Sequence, residues 1–393
     1  MPRNTAVEVG QRIATIRHAR RMTQAELARA AYISLAMLKS VERGARRPSD
    51  TTLEAIAAAL GVDPSRLTTD AARHDSRVHV AIPAISASIA AYDIPMDPPE
   101  QEFPELLEAV DAAVGWRLGA QYTLIAQQIP SLIDAALRAL HHSDGAQRRQ
   151  AARLVVAAAR AADAAAFKYG YTDLSARLIE VMRWAVRQAD DPLLDASTAY
   201  VRTETFFAAR AHAAGLRALE CAIDASPPPA GTEAAAVRGA LHMRAAVIAG
   251  RAGDATAADK HLTEARLLGD RVPEDSYLGT AFGPHSVRIH EVSVAVSLGS
   301  DHVGRALSVA RKWTPPSSLP AERQSGFWIE LARAQLWAGL ADDSFESLKV
   351  ARFIAPQHTR EHPWARDTAS TLRRLKRADA ETLTNFAEWV GAV

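Results

Sequence analysis

The sequence predicts an all-α protein, and three observations carry that prediction. Hydrophobic residues make up 48% of the 393 but aromatic ones only 6%, and together with the many alanines this suits closely packed helices better than sheets. Helix caps and glycine stops punctuate an apolar helical pattern near the start of the chain. Further on, the chain repeats itself loosely as helix, small-residue turn and helix. The expected layout is a small five-helix domain over residues 1–70, a proline-containing linker over 71–103 and a helical repeat domain over 104–393.

The first helix runs from about Val7 to Arg20, with Val9, Ile13 and Ile16 on one face. Thr23 begins the second: it is an N-cap residue type, and Glu26 three positions on completes a capping box in which each side chain satisfies a free backbone N–H. Ser34 stands ahead of a third helix whose Leu38 and Val41 fall three apart on one face, and Gly44 supplies its left-handed stop. That helix is short and half exposed. Its free face starts with Leu35 and Ala36 and continues one turn on through Lys39 and Ser40. After the basic turn Ala45-Arg46-Arg47-Pro48, Ser49 caps a helix reaching Leu60, and Gly61-Val62-Asp63-Pro64 begins a fifth.

The residues Thr23-Gln24-x-Glu26-Leu27-Ala28, Ile33-Ser34, Val41-Glu42-Arg43-Gly44, Arg47-Pro48-Ser49 and Leu53-x-x-Ile56-Ala57-x-Ala59-Leu60-Gly61-Val62 resemble the Cro-type, or xenobiotic-response-element, helix-turn-helix family of regulators. Several offsets agree over about sixty residues, which makes the match specific. The resemblance implies a lambda-repressor-like fold that binds double-stranded DNA. One residue departs from the family: Tyr32 occupies the turn position where glycine is usual, and a tyrosine there is strained if its φ is positive. On this reading Leu35, Ala36, Lys39 and Ser40, introduced by Ser34, face base edges, while Gln24, Arg43, Arg46 and Arg47 hold phosphates.

The charge distribution agrees. A net charge of +1 conceals an imbalance, because residues 1–70 carry eleven basic and seven acidic side chains and the remainder 35 and 38. By net charge only the head suits the phosphates of a nucleic acid. The single cysteine, Cys221, cannot close an internal disulfide, and no apolar segment follows the opening Met-Pro-Arg-Asn, so a cytoplasmic protein is expected. The most apolar window, 151–167, contains Arg153, Arg160 and Asp163 and falls short of a membrane span. Cys221 is expected to be an inert core residue in a repeat helix.

From Thr68 to Pro104 five prolines break any long helix, leaving room for one docking helix around 80–89. Beyond, Gly253, Gly299 and Gly339 each stand between a helix end and a helix with Leu and Ala three apart, and Gly215 marks an earlier copy. The spacings are 38, 46 and 40 residues. The pattern resembles tetratricopeptide-like repeats and implies a solenoid of six to seven helix pairs. A single helical bundle is the alternative arrangement.

No glycine-rich phosphate loop, nucleophile elbow or cofactor motif is present, and no enzyme is expected. His358-x-x-Glu361-His362 has the spacing of an inverted zinc peptidase motif, but Pro356 and Pro363 bracket it, so an inter-helix turn is expected and no metal. His285, Arg288 and His290 fall within two turns of one repeat's first helix, and Arg323 and Trp328 come from the equivalent helix one repeat later. These five residues form a candidate site for a small signalling ligand or peptide. The whole suggests a DNA-binding bacterial transcriptional regulator, working as a homodimer, whose repeats sense a ligand or mediate dimerisation. The alternative is a repeat-based adaptor with subsidiary DNA binding.

Overall fold

The computed structural model describes residues 6–19, 22–46, 48–60, 67, 76–94, 97–375 and 380–392. The chain forms two compact units, residues 1–76 and 77–392.

The first unit holds α1 (Ala6–Ala19), α2 (Gln24–Ala30), α3 (Leu35–Glu42) and α4 (Asp50–Ala59). Its core is Val9 and Ile13 from α1, Leu27 and Ala28 from α2, Leu38 and Val41 from α3, and Leu53, Ile56 and Ala57 from α4, closed by Leu60 and Leu67. The local signals explain the ends. Thr23 and Glu26 form the capping box, with Thr23 N–H donating to Glu26 Oε2 at 2.7 Å. Ser34 Oγ accepts from Met37 N–H at 3.1 Å, and Ser49 Oγ accepts from Thr52 N–H at 3.3 Å. Gly44, at φ 71°, ends α3 with its N–H on the Val41 carbonyl while Ala45 N–H reaches Ser40, the paired bonds of a Schellman stop. The start of the expected fifth helix lies outside the described residues.

The second unit begins within the stretch expected to be a linker. Residues 76–88 form α5 (Ser76–Ser88), which keeps Pro83 inside it. Its Val78 and Ile85, with Ile89 beyond, are buried in the main core of this unit, and Arg177 Nη1 donates to Ser86 Oγ at 2.7 Å. The apolar side chains settle the matter against the proline, because burying them outweighs one lost helical hydrogen bond.

Helix pairs follow: α6 (Phe103–Leu118) with α7 (Tyr122–His141), α8 (Gly145–Lys168) with α9 (Thr172–Ala189), and α10 (Pro192–Ala208) with α11 (His212–Ala225). Then come α12 (Thr232–Arg251) with α13 (Ala255–Gly269), α14 (Pro284–Leu298) with α15 (Val303–Ala310), and α16 (Ala321–Trp337) with α17 (Ala341–Ile354). The short α18 (Pro356–Glu361), α19 (Pro363–Leu375) and α20 (Ala380–Trp389) close the unit. The first helices α6, α8, α10, α12, α14 and α16, then α19, each touch the next in that order, so they form one continuous row.

The turn inside each pair has one residue in the left-handed region: Ala120, Gly170, Arg210, Gly253, Gly299 and Gly339. This is the physical repeat, and glycine fills it only four times out of six, which is why the sequence repeat looked loose. Gly215 is not a turn residue. It lies inside α11, where an added Cβ would stand 2.4 Å from Ile248 Cδ1. Cys221, expected in the core, is exposed. Residues 356–361 are a short helix, not a turn.

One element departs from helix. Between α13 and α14 a hairpin pairs β1 (Asp275–Tyr277) with β2 (Thr280–Phe282), Tyr277 opposite Thr280. Its two-residue turn, Leu278-Gly279, has both φ values positive, as a type I′ turn requires. The helix that carries His285, Arg288 and His290 starts directly after the hairpin, at Pro284. Among the described residues no helix is long and apolar enough to cross a membrane.

Candidate functional site

In the first unit the exposed face of α3 is presented by a rigid frame. Arg17, buried on α1, makes a two-pronged contact with Glu42 at the end of α3, Nε to Oε1 at 2.7 Å and Nη2 to Oε2 at 3.0 Å. Its remaining nitrogen, Nη1, donates to the Met22 carbonyl at 2.9 Å. Burial raises the Glu42 carboxyl, but the hydrogen bonds from Arg17 and Gln24 and the Arg17 charge outweigh it and hold the carboxyl below its ordinary range. Close approach completes the frame: a Cβ on Gly10 would stand 2.2 Å from the Val41 carbonyl oxygen, so α1 and α3 cross backbone to backbone.

On this frame Ser34, Leu35, Ala36 and Lys39 are exposed and Ser40 is half-buried, while Arg43 and Arg46 are exposed beyond the helix end. Arg43 Nε folds back onto the Lys39 carbonyl at 3.2 Å. Arg47 lies outside the described residues. Gln24 has a second task. Its amide nitrogen donates to Glu42 Oε2 at 2.7 Å, so it braces α3 from α2, and its second N–H is the one left for a phosphate. No sequence pattern shows that a glutamine 18 residues before a glutamate will meet it across the helix pair.

Tyr32 adopts φ 54° and is 97% exposed. The stop of α2 is a full Schellman motif, Tyr32 N–H to Arg29 and Ile33 N–H to Ala28, and Tyr32 takes the left-handed position itself. Its ring packs on nothing that would repay the strain. Tyr32→Gly is therefore expected to raise the stability of this unit by up to about 1 kcal/mol, relief of the left-handed tyrosine exceeding the added chain entropy of glycine. Slower amide exchange in α2 and α3 checks it.

Residues 13–67 match the helix-turn-helix family model. Over 59 residues, 15% of this chain, the sequence is 48% identical to an immunity repressor protein of Bacillus phage phi105. The match spans 41% of the length of that repressor. Among solved structures the chain is similar to Bacillus thuringiensis PlcR in complex with the peptide PapR7 and DNA, at 15% identity and a TM-score of 0.31, over 67% of this chain and 95% of that one. It is also similar to the apo form of the competence regulator ComR from Streptococcus vestibularis, at 13% identity and a TM-score of 0.31, over 95% of this chain and 99% of that one.

The second unit, considered apart from the helix-turn-helix, contains a cavity of about 570 Å³ lined by the row of first helices. Of the five residues expected to form a ligand site, the structure brings two together there: His290 Nε2 lies 3.3 Å from Arg323 Nη1. Burial, then the Arg323 charge, pushes the His290 imidazole down to about 3, so it is neutral at pH 7. Arg323 Nη2 also donates to Tyr200 Oη at 2.9 Å. The other three lie elsewhere. His285 stacks on Trp313 at 5.8 Å, Arg288 is exposed over the same indole, and Trp328 packs between two hydrophobic clusters. They do not line the cavity.

Most of the cavity's polar groups come from helices not singled out in the sequence. On four of the first helices the lining residues recur every three or four positions: Arg160, Asp163 and Phe167; Tyr200, Glu204 and Phe207; Arg244, Val247 and Arg251; Arg323, Gly326 and Glu330. That period places each set on one helix face, and the Ala-rich background makes it legible once the pairs are aligned. His358 faces the same cavity with both ring nitrogens occupied, Nδ1 against Ser325 Oγ at 2.7 Å and Nε2 against Lys168 Nζ at 3.0 Å.

Proposed function

We propose that this protein is a sequence-specific DNA-binding transcriptional regulator of the cytoplasm, working as a homodimer, whose helix-turn-helix reads a major groove and whose helical pairs sense a ligand. The observation that carries the reading is α3. Its inner face is locked into a core, its outer face offers Leu35, Ala36 and Lys39 to a groove, and the exposed cations Arg43 and Arg46 lie one turn beyond. Leu35 and Ala36 suit thymine methyl groups, and Lys39 suits a guanine edge or a phosphate. One such unit reads too few base pairs to select a site in a genome, so two copies related by symmetry, reading half-sites about one helical turn apart, are the economical arrangement. The tetratricopeptide-like stacking of helix pairs suits the sensing role, because small rotations between pairs alter the whole row. The cavity supports a regulatory ligand in place of a catalytic task.

The experiment selects a site from random duplexes with the wild-type protein, then measures affinity against salt. Replacing Arg46 and Arg47 together by alanine is expected to weaken binding to selected and random duplexes alike and to lower the slope of log K against log salt by up to about two. Failure of the wild-type protein to retain any duplex sinks the reading. An unchanged slope in the double variant removes the phosphate assignment alone.

A further inference from the structure

The cavity of the second unit carries more positive charge than its own carboxylates balance. Three of its cations have acidic partners: Lys168 with Glu322 at 2.8 Å, Arg366 with Glu361 at 2.6 Å, and Arg244 with Glu204 at 3.5 Å. Four do not. Arg117, Arg160, Arg251 and Arg323 have no carboxylate within 4.0 Å among the described residues, and the first two are 8% and 9% exposed. Arg251 is held only by the faces of Phe207 and Trp364, 4.6 and 5.1 Å from the ring centres.

Arg117 and Arg160 are moreover set side by side. Arg117 Nη2 donates to the Gly279 carbonyl and Arg160 Nη1 to the Leu278 carbonyl, both at 2.6 Å. A Cβ at Gly279 would lie 3.1 Å from one guanidinium and 3.2 Å from the other, so the hairpin turn holds the two tips around one point. Burial and then repulsion from Arg117 bring Arg160 down to about 9. The neighbouring acids do not close the deficit. Burial, then the Glu204 charge, holds the Asp163 carboxyl well above its ordinary value, and burial raises Glu330 to about 7 although Ser293 donates to it.

Hydrogen-bonding capacity is left over in the same place. Arg117 Nε and Arg244 Nε are buried donors with no partner, and Glu204 Oε2 is a buried acceptor with none. Buried polar atoms without a protein partner call for one from elsewhere, a water, an ion or a ligand, and here three of them fall within one charged cavity. A single carboxylate would leave several of the arginines unmatched.

We propose that this cavity is the binding site for a compact polyanion, a small molecule bearing at least two adjacent carboxylate or phosphate groups and a hydroxyl. An anionic group takes the unpartnered Nε of Arg117, and the charges of Arg160, Arg251 and Arg323, whose Nη groups are in part held by Leu278, Ser197, Thr280, Tyr200 and His290, surround the rest. The hydroxyl donates to Glu204. At about 570 Å³ the cavity has the size of a small-molecule site. The inference rests on the ligand-sensing part of the proposed function and names its ligand class.

Calorimetry and thermal melting of the full chain test it with citrate, tricarballylate and inorganic pyrophosphate as probes, against sodium chloride at matched ionic strength. Citrate or pyrophosphate at 10 mM is expected to raise the melting temperature by about 3 °C or more over the salt control. Preference for citrate identifies a polycarboxylate and preference for pyrophosphate a phosphate ester, while weaker binding of tricarballylate than of citrate reports the hydroxyl. Arg160→Gln is expected to weaken binding at least about tenfold. Because Arg160 also holds the hairpin, Arg251→Gln, which breaks no hydrogen bond, is the second variant and is expected to weaken binding in the same direction. If no polyanion exceeds the salt control, or if both variants bind as tightly as wild type, the inference is overturned. A short peptide that binds where the polyanions do not overturns it and leaves the sensing role standing. A polyanion that binds without altering DNA affinity supports the site and removes the sensing role.

Discussion

Glu42→Ala is expected to unfold the N-terminal unit while leaving the second unit folded. The substitution strands the Arg17 guanidinium, which is 5% exposed, without its only carboxylate partner among the described residues, and it frees the Gln24 amide that braces α2 on α3. Removing one partner of a buried pair costs about 3–5 kcal/mol, most of it for the charge left behind. A unit of this size has roughly 5 kcal/mol or somewhat more to lose. The wild-type unit should show a related pH dependence. Because the folded-state value of Glu42 lies below its unfolded one, the contribution is fully present above the ordinary carboxylate range and is lost as pH falls through the folded value. Amide exchange of α1, α2 and α3, followed by mass spectrometry across pH 7 to pH 3, measures both. Protection in the Glu42→Ala chain equal to wild type would mean that the core alone holds this unit.

The second large effect is expected from Phe282→Ala. Phe282 is fully buried at the end of β2, and its ring tip occupies the space left by Gly239 of α12, where a Cβ would stand 2.0 Å from Phe282 Cζ. Emptying that space costs about 3–5 kcal/mol through lost transfer energy and the cavity that remains. In a domain this large that corresponds to a fall in melting temperature of about 5–8 °C. The hairpin should suffer first, since Phe282 anchors it on one side while Glu274 caps the start of α14 on the other, accepting from the N–H groups of His285 and Ser286 at 2.8 and 2.9 Å. A loosened hairpin withdraws the Leu278 and Gly279 carbonyls from Arg160 and Arg117. Polyanion affinity should therefore drop along with stability. Gly239→Ala should act in the same direction by overpacking. A Phe282→Ala protein that melts like wild type would show that α14 alone positions the loop.

The sequence by itself determined the four described helices of the N-terminal unit to within a residue or two. Caps, a stop glycine and apolar spacing are local signals, and Thr23, Glu26, Ser34 and Gly44 act on backbone groups within five residues of themselves. The α3 face followed from the same arithmetic, because a helix once placed has only one side left for solvent. The helical character of the remainder was legible too, but its pairing was not. The recurring device there is a left-handed backbone position, and Ala120 and Arg210 take it without announcing it in their side chains. The Leu278-Gly279 turn lacks the asparagine or aspartate that usually signals a hairpin, and its strained leucine is held by Arg160 and Ser197 from helices 118 and 81 residues away. The bond from Gln24 to Glu42 is not legible either, because that contact exists only after α2 and α3 have packed. The cavity is the extreme case. Its charges come from seven separate helices, α6, α8, α10, α12, α16, α18 and α19, so each resembles part of an ordinary solvated face until stacking turns all of them inward, and only then does burial make their imbalance matter.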